Sequence, residues 1–167
     1  MAVILLAALA AAAPASVSVY TELDLDACRV IEQVEEGESV RWRCPGHAGI
    51  PLFVGAGDGR FDVDAGADNE VWESIGEFNR PGPRVEWRLR GRVPVAIIFR
   101  LISVDPERPR RSVLMVKTIG RAGRPGCLIA TIDGALPNAN ALARAQADRR
   151  AAGFRCGMDR AEPDEGG

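Results

Sequence analysis

The segment CLIATIDGALPNANALARAQADRRAAGFRC, which runs from Cys127 to Cys156, predicts a strand, a turn and a helix between two cysteines. Residues 127–132 have strand composition and would rise about 20 Å at ~3.3 Å per residue. Residues 133–137 form the turn, and residues 138–152 would form a helix about 22 Å long. Because the two lengths match, a helix that runs back along its own strand brings Cys156 close to Cys127.

The predicted helix has a start signal, a stop signal and an apolar stripe. Asn138 is a good N-cap residue, because its side chain can accept from free N–H groups of the first turn. Gly153 lies where a left-handed residue often ends a helix. Arg144, Asp148 and Arg149 lie off the stripe. The stripe, which would pack on a sheet, consists of Ala139, Leu142, Ala143, Ala147, Ala151 and Phe154.

The cysteines indicate disulfides in an exported protein. The chain has 4 of them, and an even number in an oxidising compartment is usually a disulfide set. A metal site would need closer pairs such as C-x-x-C, which this sequence lacks, so we expect no bound metal. Composition alone leaves the connectivity open, and the segment CRVIEQVEEGESVRWRC, residues 28–44, provides a geometric reason to choose one.

Residues 28–44 predict a β-hairpin. A loop at residues 35–37 would place Gly37 in the left-handed conformation. The directly opposed pairs are then Cys28 with Cys44, Val30 with Trp42, and Glu32 with Val40. Opposed residues in antiparallel strands have Cα atoms about 4.5–5.5 Å apart, which is within disulfide range. We therefore predict a Cys28–Cys44 disulfide and, by elimination, a Cys127–Cys156 disulfide.

The N-terminus predicts a signal peptide. Residues 3–13 are an unbroken apolar run, too short to span a bilayer comfortably. The small-x-small pattern at residues 13–15 places cleavage after Ala15, with Ser18 as the alternative; an uncleaved anchor is the rival interpretation. We expect a periplasmic or secreted protein with no transmembrane segment after cleavage, one domain at residues 19–157, and a disordered acidic tail at residues 158–167.

The middle of the chain predicts a series of short strands. Residues 71–78 are mixed, and residues 79–83 (NRPGP) predict a break. Short connections favour antiparallel neighbours. The predicted fold is therefore α+β, a mainly antiparallel meander with one C-terminal α-helix packed on it and two disulfides. The predicted strands, after the first hairpin, are residues 51–55, 61–65, 85–90, 93–104, 112–119 and 127–132.

Composition excludes a nucleic-acid-binding protein. The net charge is −2 and aromatic residues make up 5% of the chain. Neither a large basic face nor an aromatic stacking platform is indicated. The triplet of alternating glycines at residues 55–59 lacks the spacing of a dinucleotide-binding loop, and we expect no cofactor.

The candidate catalytic and calcium-binding residues have weak patterns. His47, the only histidine, would need a serine and a carboxylate to form a hydrolytic triad, and we expect an exposed turn residue. Asp62 and Asp64 alternate with apolar residues, so we expect both on the solvated face of a strand. The acidic segment at residues 58–70 is rich in the oxygen ligands that calcium prefers, but it lacks EF-hand spacing.

Arg100 interrupts the apolar strand at residues 93–104. Three interpretations are open: it anchors an anionic ligand, it lies on an exposed face where its stem covers apolar surface, or it pairs with an acid such as Glu86. Other arginines between residues 80 and 111 would make part of the surface basic, where an anionic envelope component could bind.

The segments CRVIE and VRWRCPG near the N-terminus, together with ANALARAQADRRAAGFRC near the C-terminus, are similar to small exported proteins of unknown function from alphaproteobacterial-type genomes. The resemblance implies export and no particular activity. From the residues themselves, the leading hypothesis is a non-enzymatic periplasmic binding protein whose partner is an envelope protein or an anionic envelope component. The alternatives are a hydrolase that uses His47 or the acids of residues 58–70, and a calcium-stabilised structural module.

Overall fold

A computed structural model describes residues 15–34, 39–107 and 110–162 of the chain. Within these ranges the protein has two antiparallel sheets, one α-helix and a 3₁₀ turn at Leu25–Ala27. The elements are β1 (Ser16–Glu22), β2 (Arg29–Val34), β3 (Ser39–Cys44), β4 (Leu52–Gly57), β5 (Arg60–Ala65), β6 (Asn79–Arg90), β7 (Val93–Ser103), β8 (Ser112–Thr118), β9 (Leu128–Asp133) and α1 (Ala139–Arg150).

The predicted α+β fold is confirmed, with the meander divided between two sheets. One sheet has the order β2-β3-β4-β5, and the other has the order β1-β6-β7-β8-β9. β1 pairs along β6 from Ser16–Arg90 to Glu22–Arg84. The sequence prediction missed this strand because its alternating residues follow directly on the apolar N-terminal run.

The molecule has three layers, in which the five-stranded sheet lies between the four-stranded sheet and α1. Alternate residues of β6, β7 and β8 therefore face different cores, and both faces of these strands are buried. The inter-sheet core includes Leu52, Val54, Val63, Val85, Trp87, Ile97, Phe99, Leu101, Val113 and Met115. The helix-side core includes Ile98, Leu114, Val116, Ile129, Ala130, Ile132, Ala139, Ala143 and Ala147.

Both predicted disulfides are confirmed. The Cα atoms are 4.3 Å apart in Cys28–Cys44 and 5.7 Å apart in Cys127–Cys156. The predicted register of the first hairpin is only partly right. Val30 faces Trp42 as predicted, but a bulge follows, and Glu32 faces Arg41 instead of Val40. The bulge lies at Ile31, between Val30 and Glu32. The predicted loop at residues 35–37 lies outside the described residues.

The helix packs through its predicted stripe, but its ends differ from the prediction. Asn138 is the N-cap by position and makes no side-chain capping hydrogen bond. Gly153 is not left-handed. The C-cap Ala151 stays right-handed, and the Gly153 N–H donates to the Arg150 carbonyl oxygen at 3.1 Å, so the chain leaves the helix through a tight right-handed turn.

The glycine- and proline-rich stretches also differ from the prediction. Asp58 and Gly59 both have positive φ, so β4 and β5 extend to a two-residue hairpin turn of the type that Asp-Gly favours. Residues 79–83 do not break the chain, because β6 runs through them with a bulge between Pro81 and Val85. β1 has ended by this point, so the prolines lie where β6 has lost one neighbour and tolerates a missing N–H. Residues 71–78 form neither the strand nor the helical turn considered from sequence.

The ends of the domain extend past the predicted limits of residues 19–157. β1 begins at Ser16, so cleavage after Ser18 would remove part of it, whereas cleavage after Ala15 leaves it intact. Residues 158–162 do not form a disordered tail: the Glu162 N–H donates to the Ile129 carbonyl oxygen at 2.9 Å. Residues 1–14 and 163–167 lie outside the described residues. No helix in the described part of the chain has the length and apolarity to cross a membrane.

Candidate functional site

A fully buried ammonium group lies at the centre of a polar cluster that joins β5 to β8. Lys117, the only lysine of the chain, is on β8 and has no exposed surface. Its Nζ lies 3.0 Å from Asp62 Oδ1, 2.6 Å from Asp64 Oδ1 and 2.7 Å from Glu73 Oε2. We call these four residues the Lys117 cluster.

The alternation of β8 and the position of β5 bring the cluster together. Val113, Met115 and Lys117 share the face of β8 that points towards the four-stranded sheet. β5 is the edge strand of that sheet, so the lysine reaches carboxylates that alternate with the core residue Val63. The predicted alternation of β5 is therefore right, but the predicted solvent exposure of Asp62 and Asp64 is wrong: they are 5% and 6% exposed.

A segment without regular secondary structure, residues 66–78, covers these carboxylates, and we call it the strap. The Glu73 N–H donates to Asp62 Oδ2 at 3.2 Å, and the Asn69 N–H donates to Asp64 Oδ2 at 3.3 Å. Glu73 Oε1 also accepts from the Leu128 N–H at 2.8 Å. Glu73 therefore joins β5 to β9, with its N–H group on Asp62 and its carboxylate on Leu128. The sequence could not indicate these contacts because the partners are distant along the chain.

The ionisation of the cluster follows from burial and from an excess of carboxylates. Burial raises the pKa of Asp64 to about 6, although Lys117 opposes this shift; the neighbouring Asp62 adds to it. Burial also raises the pKa of Asp62. For Lys117, burial would lower the pKa, but Asp62, Asp64 and Glu73 together raise it above its ordinary value. The lysine is therefore charged, and the raised pKa brings the titration of Asp64 close to the neutral range.

The Lys117 cluster resembles a metal site whose cation position is already filled. The ligand oxygens of Asp62, Asp64 and Glu73 lie within 4.8 Å of one another. The Lys117 ammonium group lies at hydrogen-bonding distance from all three, so a calcium ion would have to displace a buried charge.

We expect calcium to leave the stability of the protein unchanged for this reason. The melting temperature, measured by circular dichroism in 5 mM CaCl₂ and in 5 mM EDTA at roughly equal ionic strength, should agree within about 1 °C, because a ligand stabilises only by binding the folded state. A rise of several degrees with calcium, absent with an equal concentration of magnesium, would instead support the calcium-stabilised module.

The strap also forms one side of a small cavity on the outer face of the four-stranded sheet. The cavity has a volume of about 240 Å³, and Asp62 and Asp64 line its inner end. Trp72 forms one wall above Gly55, where an added Cβ would lie only 3.0 Å from the indole ring. The alternating glycines, which the sequence left without a function, thus provide a flat floor for the tryptophan. We call this space the strap cavity.

A second cavity, of about 360 Å³, lies on the helix side between β6, β7 and the first turns of α1. Three arginines, Arg84, Arg100 and Arg144, line it together with Tyr20 and a single acid. We call it the arginine cavity. Its remaining lining residues are mainly apolar or small: Gly82, Pro83, Ile98, Phe99, Ile102, Leu114 and Asn140, with Glu86 as the acid.

Arg100 has no acidic partner within the described ranges. Its Nη1 donates to Ser112 Oγ at 2.6 Å, and it lies against Gly134, where an added Cβ would be 2.3 Å from the same nitrogen. The pairing with Glu86 considered from sequence does not occur. Glu86 instead accepts from Arg144 Nε at 2.6 Å.

The charged residues off the helix stripe hold α1 on the sheet. Arg88, 6% exposed, donates from Nε and Nη2 to the two carboxylate oxygens of Asp148 at 3.0 and 2.6 Å. Arg144 joins Glu86 to the Tyr20 hydroxyl group, to which it donates at 2.9 Å. Polar side chains of α1 thus cover the polar face of β6. Arg144 and Asp148 lie off the apolar stripe, as the sequence predicts, but they still contact the sheet.

His47 does not join the carboxylates of residues 58–70. Its ring packs against Trp87, with the ring centres 5.9 Å apart, and it lines neither the strap cavity nor the arginine cavity. It is half-buried, not exposed as expected.

Comparison with models of protein families, with curated proteins and with solved structures finds no match for this chain.

Proposed function

We propose that the protein is an exported, non-enzymatic binding protein whose ligand presents an anionic group to the arginine cavity. The observation that carries this proposal is Arg100. It lines a cavity beside two further guanidinium groups, and it has no acidic partner within the described ranges. Concave sites with a few convergent polar groups on apolar walls are typical of ligand binding.

The charge around the cavity supports an anion. Arg84, Arg100 and Arg144 each carry a positive charge, and Glu86 is the one acid among the lining residues. Arg144 is already paired with Glu86, which leaves the other two guanidinium groups for a ligand. Guanidinium groups bind carboxylate and phosphate through two parallel hydrogen bonds. An anionic envelope component is therefore the partner class that we favour.

Export and the absence of catalysis rest on other features. The apolar N-terminal run and the two disulfides support an oxidising compartment. The hydrolase alternative receives no support from the arrangement of its candidate residues, because His47 packs on Trp87 and the buried acids are held by Lys117.

The proposal is tested by measuring anion binding with Arg100 altered. Inorganic phosphate is titrated into the protein lacking residues 1–15 by calorimetry, and phosphatidylglycerol vesicles are compared with phosphatidylcholine vesicles by co-sedimentation. We expect binding in at least one arm, weakened about ten-fold or more in Arg100→Gln, because a charge-assisted hydrogen bond contributes about 1.5–3 kcal/mol.

The matched control is Arg29→Gln, which removes an exposed arginine from β2 in the other sheet. It should bind like the unaltered protein. Equal weakening by both substitutions would mean that the affinity comes from net charge alone. That result, or no binding to either probe, would overturn the proposal. The two arms separate a free anion from a lipid headgroup.

A further inference from the structure

We propose that residues 68–73 of the strap form a pH-gated lid over the strap cavity, latched by the Lys117 cluster and released as the pH rises. This inference is independent of the arginine cavity. The strap cavity is open on the outer face of the four-stranded sheet, and Asp68, Glu70, Val71 and Trp72 all line it. Movement of residues 68–73 would therefore change both the size and the chemistry of the cavity.

Polar contacts hold this part of the strap closed together with the packing of Trp72. Val71 and Trp72 remain 60% and 50% exposed, and the buried half of Trp72 rests on Gly55, a contribution that does not change with pH. The polar contacts that hold the segment come from Asn69 and Glu73, whose N–H groups donate to the carboxylates of Asp64 and Asp62. The following residues are held differently, since Ser74 Oγ donates to the Phe61 carbonyl oxygen at 2.6 Å. The contacts to the Asp62 and Asp64 carboxylates thus come from residues 68–73.

The charges that face the latch come from every element around it. Asp62 and Asp64 belong to β5, Glu73 to the strap, and Lys117 to β8. At the surface, Arg41 of β3 pairs with Asp68 and lies 3.5 Å from Glu32 of β2, while Glu70 is exposed at the rim. With all groups ionised, two buried carboxylates and one partly buried carboxylate share one ammonium group. A proton on one carboxyl group therefore relieves repulsion in the closed state.

Proton binding sets the direction of the gate. In the closed state the pKa of Asp64 is raised to about 6 from an ordinary value of 3.8, and an opened strap would return it to water. The closed state thus binds the proton more tightly. By linkage, opening becomes more favourable as the pH rises from about 4 to about 6 and is constant above that range. The raised pKa of Asp62 acts in the same direction.

Hydrogen–deuterium exchange of the strap measures this opening directly. Exchange rates of peptides from residues 66–78 are recorded between pH 4 and pH 7.5 and divided by the intrinsic chemical rate at each pH. We expect the corrected opening constant for residues 68–73 to rise on the order of 100-fold across this range. Peptides from β7 in the same digest report global unfolding, which also returns Asp64 to water and so shares the pH trend. Their opening constants should be far smaller than that of residues 68–73 at every pH, because the strap opens without the core.

Two aspartate-to-asparagine substitutions provide the matched pair. Asp64→Asn cannot ionise and should remove most of the pH dependence, keeping the strap protected at pH 7.5. Asp58→Asn alters an exposed acid at the turn of the same hairpin and should retain the full dependence. A flat profile in the unaltered protein would overturn the proposal without any variant, and so would a pH dependence of undiminished size in Asp64→Asn.

Discussion

Replacing Lys117 with methionine is expected to destabilise the fold by about 3–5 kcal/mol at pH 7, the cost typical of removing one partner from a buried ion cluster. The lysine has no exposed surface, and among the described residues it is the one cation in contact with Asp62, Asp64 and Glu73. Methionine fills a similar volume, so the loss would report charge and not a cavity. Urea denaturation followed by circular dichroism gives the free energy of unfolding.

The pH dependence of this loss distinguishes electrostatics from packing. In the unaltered protein, Asp64 binds its proton more tightly when folded, so its contribution to stability falls as the pH rises from 3.8 to about 6. Lys117 lowers the folded-state pKa values of Asp62 and Asp64, so both values rise further without the ammonium group. The deficit of the methionine variant should therefore shrink as the pH is lowered from 7 to 5.

The control for Lys117→Met is Arg43→Met, which removes an exposed cation from β3. It should change the free energy of unfolding by no more than about 0.5 kcal/mol, as is usual for surface positions. An equal deficit for Lys117→Met at pH 5 and pH 7 would contradict the electrostatic account. It would show that methionine does not pack at this position as the lysine stem does, and that packing outweighs charge.

Those parts of the fold that depend on local pattern could be predicted from the sequence. The match between strand length and helix length places Cys156 near Cys127, and the opposed positions of a hairpin place Cys28 near Cys44. Both disulfides form. The alanine stripe likewise faces the sheet, because helical periodicity alone determines which residues share a face.

The Lys117 cluster could not be predicted because alternation tells which residues share a face, not what covers that face. Asp62 and Asp64 do point away from the Val63 side of β5, as expected. Whether that face meets water depends on the strap, whose contacts join residues far apart in sequence. One signal was available: Lys117 falls at an inward position of an apolar strand in a chain that otherwise uses arginine.

The arginine cavity could be predicted from the sequence only in part. Arg100 was singled out because it interrupts an apolar strand, and an anion-binding role was one interpretation. Its neighbours Arg84 and Arg144 come from β6 and α1, and their convergence depends on where the helix lies across the sheet. That position is fixed by the pairs Arg88–Asp148 and Glu86–Arg144, which no local pattern specifies.

Replacing both Cys127 and Cys156 with serine is expected to lower the free energy of unfolding by about 3–4 kcal/mol on the chain-entropy estimate. The disulfide closes a loop with a sequence separation of 29 residues, and without it the unfolded chain gains the conformations that the loop forbids. The folded state loses support as well, because α1 buries mainly alanines on the sheet, and small side chains contribute little burial.

The matched variant is Cys28→Ser with Cys44→Ser, which opens a loop with a separation of 16 residues. Its loss should be smaller by about 0.5 kcal/mol if loop entropy dominates. A much larger difference would mean that the C-terminal disulfide also acts on the folded state, by keeping the chain after α1 on β9. Hydrogen exchange of the Glu162 amide, which donates to the Ile129 carbonyl oxygen, separates an effect on the unfolded chain from an effect on the folded state. In the variant without Cys127–Cys156, its exchange rate should exceed the rate set by global unfolding only if the disulfide supports that contact. Losses below about 1 kcal/mol in both variants would contradict the chain-entropy account, because each loop is long enough to predict three times that value.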